Sequence, residues 1–174
     1  MDYLLELEKE HSRKNTDAIV KYIGNNQIEF GKIINIIYTA KAPIPQRAAW
    51  IIATVTKQSP ELIKPYVSKF ILTINDFKVD AIKRNFLLAL AEQKIPSKLQ
   101  GRLINTCFEY MLSSTEPVAI KVHSMQIVAN LCAEHPELIP ELKSVIFQET
   151  EKNSAAFTAR AKMIFKKLDK IKKK

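Results

Sequence analysis

The tetrapeptide Pro60-Glu61-Leu62-Ile63 recurs unchanged as Pro136-Glu137-Leu138-Ile139, 76 residues further along the chain. A related tetrapeptide, Pro96-Ser97-Lys98-Leu99, lies almost midway between the two copies. The spacing indicates a repeat of about 38 residues. A period of this length without strand-like segments is typical of stacked helical hairpins, because no single hairpin can bury its own apolar face. We therefore expect an all-α fold.

Apolar residues at helical spacing divide the chain into an N-terminal cap and four helix pairs, within one domain that covers residues 1–174. The cap covers 1–24, the repeats cover 27–58, 60–93, 97–134 and 136–171, and a basic end covers 172–174. We expect a break in the cap near Asn15-Thr16-Asp17. Ser59 precedes Pro60 and Glu61, so its hydroxyl is expected to cap a helix over 60–74.

The composition favours one compact chain that does not cross a membrane. Hydrophobic residues make up 47% of the sequence and only three glycines occur, which suits a helical body with short loops. The apolar stretch 28–42 is interrupted by Glu29 and Lys32, among other charges, and is too short for a membrane span. Residues 1–8 carry acids where a secretory signal carries bases. Cys107 and Cys132 have apolar neighbours and are expected to be reduced core thiols of a cytoplasmic protein.

The net charge of +9 is concentrated at the C-terminal end. Residues 160–174 contain eight bases and one acid, a local charge of +7, which leaves +2 for the rest of the chain. Apolar residues at helical spacing, with lysines across from them, predict an amphipathic helix here. Such a helix either binds an anionic membrane surface or closes the stack of repeats with a solvated outer face. The lysines of this basic tail are Lys162, Lys166, Lys167, Lys170, Lys172, Lys173 and Lys174.

Four stretches share a pattern in which a turn is followed by a small or branched residue, a base and an apolar run. They are Ile44-Pro45-Gln46-Arg47-Ala48-Ala49-Trp50, Val79-Asp80-Ala81-Ile82-Lys83-Arg84-Asn85, Val118-Ala119-Ile120-Lys121-Val122-His123 and Phe157-Thr158-Ala159-Arg160-Ala161. The pattern resembles the second helix of HEAT repeats, and the resemblance covers nearly the whole chain. It implies an α-α superhelix of the HEAT/ARM-like type, a right-handed solenoid whose second helices line the concave face.

The resemblance also raises two enzyme classes. HEAT-like alkylpurine DNA glycosylases hold damaged DNA on a basic concave face with aromatic residues and an aspartate, for which this chain offers Trp50, Asp80 and Arg84. Some short bacterial HEAT-repeat chains that resemble this one carry an adenylosuccinate lyase label. That superfamily has a flexible Ser-Ser-x-Met-Pro-x-Lys-x-Asn type of loop. The nearest segment here, 113–117, lacks the methionine, the lysine and the asparagine.

Bases recur near the start of the predicted second helices, and each has two interpretations. They either form a basic ladder along one groove, or they bond acids such as Asp80 in neighbouring repeats and hold the fold together. The recurring bases are Arg47, Arg84, Lys121 and Arg160.

Trp50 is the sole tryptophan, and it either stacks on a ligand or packs into the core. The full set of candidate binding residues is Arg47, Trp50, Arg84, Lys121 and His123.

Catalysis finds little support in the sequence. His11, His123 and His135 have no cysteine or carboxylate at metal-ligand spacing, and three scattered glycines form no phosphate-binding loop. We expect no catalytic residue, no metal, no cofactor, no small-molecule substrate and no integral membrane association. The predicted function is a non-catalytic HEAT-like scaffold that binds another macromolecule, most directly a protein, through its concave surface. The alternative is a nucleic-acid-binding protein related to the HEAT-like alkylpurine DNA glycosylases.

Overall fold

The computed structural model describes residues 1–171, which form ten α-helices and three 3₁₀ segments without a β-strand. The prediction of an all-α fold is confirmed. Lys172, Lys173 and Lys174 of the predicted basic tail lie outside the described residues. The chain divides into two compact units, Met1–Lys94 and a second unit that begins at Ile95.

The first unit contains six α-helices. They are α1 (Tyr3–Lys9), α2 (Arg13–Ile23), α3 (Gln27–Thr39), α4 (Ile44–Gln58), α5 (Val67–Thr73) and α6 (Asp80–Leu90). Two 3₁₀ segments, Pro60–Tyr66 and Ile74–Asp76, flank α5. Helices α3 and α4 form the first hairpin, and the segment from Pro60 to Asp76 forms the second hairpin with α6. Helix α4 packs against both α3 and α6, so it lies at the centre of this unit.

The break in the N-terminal cap lies earlier than the sequence predicts. It falls between Lys9 and Arg13, and Asn15-Thr16-Asp17 lies within α2. The cause is Ser12, whose side chain accepts a hydrogen bond from the backbone N–H of Asn15 and so starts a new helix. Helix α2 ends at Gly24, which adopts a φ of +49° that glycine tolerates without steric cost.

The segment after Ser59 also differs from the prediction. Pro60–Tyr66 is a 3₁₀ segment rather than the start of an α-helix. Pro65 lies inside it and has no N–H to donate, so an α-helical hydrogen bond cannot form there. The Ser59 hydroxyl does not cap this segment and instead hydrogen-bonds the side-chain oxygen of Asn25. Ser59 therefore ties the second hairpin to the loop between α2 and α3.

Aromatic rings form one part of the core of the first unit, beside many buried isoleucines. Phe70 and Phe86 stack with ring centroids 3.8 Å apart, and Phe77 meets Phe86 edge-on at 5.3 Å. Phe30, Phe70 and Phe86 are fully buried. Burial of each such side chain stabilises the fold by about 1.5–3 kcal/mol relative to exposure. These contacts fix α6 against α5, and α6 in turn packs along α4.

The second unit contains four α-helices. They are α7 (Ser97–Leu112), α8 (Val118–Leu131), α9 (Ile139–Thr150) and α10 (Ala155–Ile171), with a 3₁₀ segment, Pro136–Leu138, before α9. Helix α7 packs against α8, and α10 packs against α8 and α9. Apolar residues of α10 at helical spacing fill the core of this unit. They are Phe157, Ala161, Ile164 and Leu168.

Both cysteines are free thiols in the core of the second unit. Burial raises the pKa of the Cys107 thiol to about 12 and that of the Cys132 thiol to about 11. The two thiols are therefore protonated at neutral pH, and a protonated thiol is a poor nucleophile and metal ligand.

Candidate binding site on α4 and α6

The four recurring bases differ in the groups that their side chains contact. Arg47 on α4 donates hydrogen bonds from its guanidinium to the carbonyl oxygens of Leu7 at 2.6 Å and Glu8 at 3.4 Å. Both carbonyls lie in the last turn of α1, where they have no partner within that helix. Arg47 thus fastens α1 to α4 through backbone acceptors rather than through an acid.

Two further bases make contacts within the second unit. Lys121 on α8 pairs with Glu149 at the end of α9 at 2.8 Å, and both side chains are buried. Arg160 on α10 donates to the side-chain oxygen of Gln126 on α8 at 3.3 Å. Each base connects two helices of its unit, which is a structural role.

Arg84 differs from the other three bases. Its side chain is exposed on α6. Within residues 1–171 its guanidinium has no hydrogen bond and no ion pair. A guanidinium has five N–H donors in a planar fork that matches carboxylate or phosphate oxygens. Arg84 is therefore the recurring base whose charge is available to a partner.

Arg84 lies at the edge of a recess between α4 and α6 that encloses about 360 Å³. Residues spaced four apart on α4, Gln46 and Trp50, form one wall. A matching set on α6, at spacings of three and four, forms the other wall. These lining residues are Ala81, Arg84 and Asn85, and His11 from the turn between α1 and α2 completes the recess.

The Trp50 ring is half-buried in this recess. The His11 ring meets it edge-on with centroids 5.1 Å apart. Trp50 thus adds a partly exposed apolar ring to the lining of the recess, with the His11 ring packed against it. Ala81 lies one turn before Arg84 on the opposite wall. Its side chain is only a methyl group, so it takes up little of the space in the recess.

Asn85 is one of four lining residues that the set predicted from the sequence lacks, and the others are His11, Gln46 and Ala81. The Asn85 side chain is 3% exposed, and its amide nitrogen has no hydrogen-bond partner among the described residues. A buried amide without a partner costs about 1–3 kcal/mol. Asn85 is also one of the residues that line the recess. A buried polar side chain of this kind leaves no signature in the sequence beyond its position next to Arg84.

The polar groups of the recess favour ligands that accept hydrogen bonds. Arg84 and Asn85 supply donors, and Gln46 supplies an amide with no partner among residues 1–171. None of the described lining residues is acidic. Asp80 lies on α6 but does not line the recess, and its carboxylate is 3.6 Å from the Lys83 ammonium. The site is thus suited to an anionic or carbonyl-bearing group beside an apolar group.

The remaining predicted site residues lie in the second unit. His123 is half-buried on α8, and Lys121 is occupied by Glu149. The described tail lysines lie on α10, where Lys162, Lys166 and Lys170 are exposed and Lys167 hydrogen-bonds Asn130. The apolar face of α10 is packed inside the unit, so it is not available to a membrane surface.

The family model described as a HEAT repeat domain matches residues 4–168. The chain belongs to the HEAT repeat family. The helical hairpins of both units agree with this membership, and the match includes both walls of the recess. No curated protein and no solved structure gives a significant match to this HEAT-repeat chain.

Within 1–171, no helix of this HEAT-repeat protein is both long and apolar enough to span a bilayer. The same residues contain no group of three or more His, Cys, Asp or Glu side chains placed to hold a metal ion.

Proposed function

We propose that this HEAT-repeat protein is a non-catalytic scaffold that binds a protein partner through the second helices of its first two hairpins. The binding surface is centred on the recess between α4 and α6. The observation that carries the proposal is that the guanidinium of Arg84, which has no partner among residues 1–171, lines the same recess as the half-buried ring of Trp50. Tryptophan and arginine are the residue types most enriched where binding energy is concentrated in protein interfaces.

The scaffold role follows from how HEAT repeats use their residues. The apolar faces hold successive hairpins together, and the surface residues of second helices are then free to serve recognition. Among residues 1–171, Arg47, Lys121 and Arg160 hold neighbouring helices together, and Arg84 makes no hydrogen bond or ion pair. The proposal therefore narrows the predicted surface to Trp50, Arg84 and the residues that share their recess.

A protein partner is favoured over nucleic acid by the distribution of free charge. A surface that follows a phosphate backbone gains affinity from each base that neutralises a phosphate. Three of the four recurring bases are held by Leu7, Gln126 and Glu149, so they form no free ladder. A single arginine beside an aromatic ring is better suited to one anchoring group of a protein.

We also propose that the protein is located in the cytoplasm. Cys107 and Cys132 are free, buried thiols, which is compatible with a reducing compartment. The proposal includes no catalytic step.

The proposal is tested by photo-crosslinking beside the recess in cells that naturally produce the protein. A photoreactive phenylalanine replaces Asp80, which is exposed at the start of α6 and does not line the recess, and crosslinked species are compared in the unchanged background, with Arg84→Glu and with Lys98→Glu. Lys98 is exposed in the second unit, so its substitution matches the change in charge without touching the recess. We expect a crosslinked protein that disappears with Arg84→Glu and persists with Lys98→Glu. Crosslinks that are identical in all three backgrounds, or that nuclease treatment removes, would contradict the proposal.

A further inference from the structure

We infer that the recess between α4 and α6 binds the C-terminal residue of a partner polypeptide. In this arrangement, Arg84 holds the terminal carboxylate, Asn85 donates to a backbone carbonyl, and Trp50 supports an apolar last side chain. The inference rests on the proposed function, because it names the chemistry that the same recess recognises.

The charge of the ligand follows from Arg84. Its guanidinium is exposed at the edge of the recess, has no partner among the described residues and has no acidic neighbour in the lining. Bidentate pairing of a guanidinium with a carboxylate gives short, charge-assisted hydrogen bonds with a defined orientation. A carboxylate is the anionic group that every polypeptide carries at its end.

The second contact follows from Asn85. Its amide nitrogen is buried and has no partner within the part of the chain that the structure describes, and Asn85 follows Arg84 directly on α6. A backbone carbonyl that enters the recess accepts a hydrogen bond from this amide and removes the cost of leaving it unpaired. The charged acceptor and the neutral acceptor are then held by neighbouring residues.

The apolar ring of Trp50 and the size of the recess favour a chain terminus over an internal acidic side chain. A terminal residue combines a carboxylate, a nearby carbonyl and an apolar side chain, whereas an internal acid uses its own side chain as the charged group. The volume of about 360 Å³ lies at the lower end of the range for small-molecule sites. It is therefore suited to the last residue of a chain rather than to a broad protein surface.

The probes for the test are N-acetyl-leucine, which has all three groups, and N-acetyl-leucinamide, which lacks only the charge. Because Trp50 is the sole tryptophan, its indole N–H gives one signal in a ¹⁵N spectrum of the full chain and reports on the recess. With about twelve non-hydrogen atoms, N-acetyl-leucine is expected to bind with a Kd on the order of 1–10 mM.

We expect the acid to shift the Trp50 indole signal saturably and the amide to bind at least about tenfold more weakly. Arg84→Ala and Asn85→Leu should each weaken binding of the acid, and the control Lys98→Ala should leave it unchanged. Equal binding of acid and amide, or no saturable shift below about 50 mM, would overturn the inference. Inorganic phosphate that displaces the acid with equal affinity would also overturn it, since the recess would then select only an anion.

A second experiment distinguishes a failure of this inference from a failure of the proposed function. The partner identified by crosslinking is prepared with its natural C-terminus and with two glycines added there. Loss of affinity on extension supports the inference. If affinity depends on Arg84 but survives the extension, the inference is wrong and the proposed function stands. If affinity does not depend on Arg84, the proposed function itself is wrong.

Discussion

The Nζ atom of Lys121 lies 2.8 Å from a carboxylate oxygen of Glu149, and this ion pair connects α8 to the end of α9. Lys121 is 5% exposed and Glu149 is 3% exposed. The carboxylate also accepts from Lys152 at 3.1 Å and from the Asn153 side chain at 3.3 Å. Both charges are thus removed from water and neutralised by one another, which makes each dependent on its partner.

Removal of either member of this pair should destabilise the fold strongly. Lys121→Met leaves a buried carboxylate short of a donor, and Glu149→Leu leaves a buried ammonium without its partner. Glu149→Leu is expected to lower the free energy of unfolding by about 3–5 kcal/mol, and Lys121→Met by less, because Lys152 and Asn153 still donate to the carboxylate. The free energy of unfolding of the double variant should be close to that of the unchanged protein, because apolar side chains of similar size replace both charges. Urea denaturation of the four proteins measures this coupling, and additive losses in the double variant would contradict it.

The pair also predicts how stability depends on pH. Burial alone would raise the pKa of the Glu149 carboxyl, but hydrogen bonds from Lys121 and Lys152 outweigh burial and hold that pKa below its usual range. A lowered pKa in the folded state contributes stability above the ordinary pKa of a glutamate, and this contribution is lost as pH falls through the lowered value. Unfolding measured from neutral pH to about pH 3 should show this loss, since an ordinary glutamate titrates near pH 4.3. In Glu149→Gln the corresponding part of the pH dependence should be missing.

Arg47 and Arg84 occupy corresponding places in successive hairpins and should respond differently to substitution. Arg47→Ala removes the hydrogen bonds to the Leu7 and Glu8 carbonyls, so we expect a loss of about 1 kcal/mol or more and faster amide exchange in α1. Arg84→Ala removes an exposed side chain without a partner among residues 1–171, and should change stability by no more than about 0.5 kcal/mol. Denaturation and hydrogen exchange test both expectations, and equal losses in stability would contradict the distinction between the two arginines.

Asn85→Leu should separate stability from binding. The substitution replaces a buried amide without a partner by an apolar side chain of similar branching. We expect the free energy of unfolding to stay the same or to rise by up to about 1–3 kcal/mol, while binding at the recess weakens. A thermal or urea denaturation curve measures the first quantity and the Trp50 indole signal the second. A marked loss of stability would show that Asn85 has a structural role and would contradict its assignment to the recess.

The repeat architecture was predictable from the sequence because its signals are local. The spacing of Pro60-Glu61-Leu62-Ile63 and its second copy indicates the repeat, and apolar periodicity assigns the helices to the cap and the four repeats. The misplaced break in the cap also had a local signal, since Ser12 is a favourable N-cap residue. Pro65 likewise marks the segment where an α-helix cannot continue.

The site was only partly predictable, because tertiary contacts decide which of the recurring residues are available to a ligand. Trp50 and Arg84 belong to the predicted set, and the structure brings them to one recess. Arg47 looks equivalent to Arg84 in sequence, but its acceptors are backbone carbonyls of α1, which carry no residue-specific signal. Asn85 and His11 gain their importance only from the packing of α4, α6 and the turn after α1.

The most direct test of the central claim, that the recess is the partner-binding site, is the equilibrium affinity of the crosslinked partner for four versions of the full chain. These are the unchanged protein, Arg84→Glu, Ala81→Phe, which fills the recess, and the charge-matched control Lys98→Glu. We predict that Arg84→Glu and Ala81→Phe each weaken binding at least about tenfold, as loss of one central contact of 1.4 kcal/mol or more requires. Lys98→Glu should leave the affinity unchanged. Affinities that agree within about twofold across all four proteins would contradict the claim.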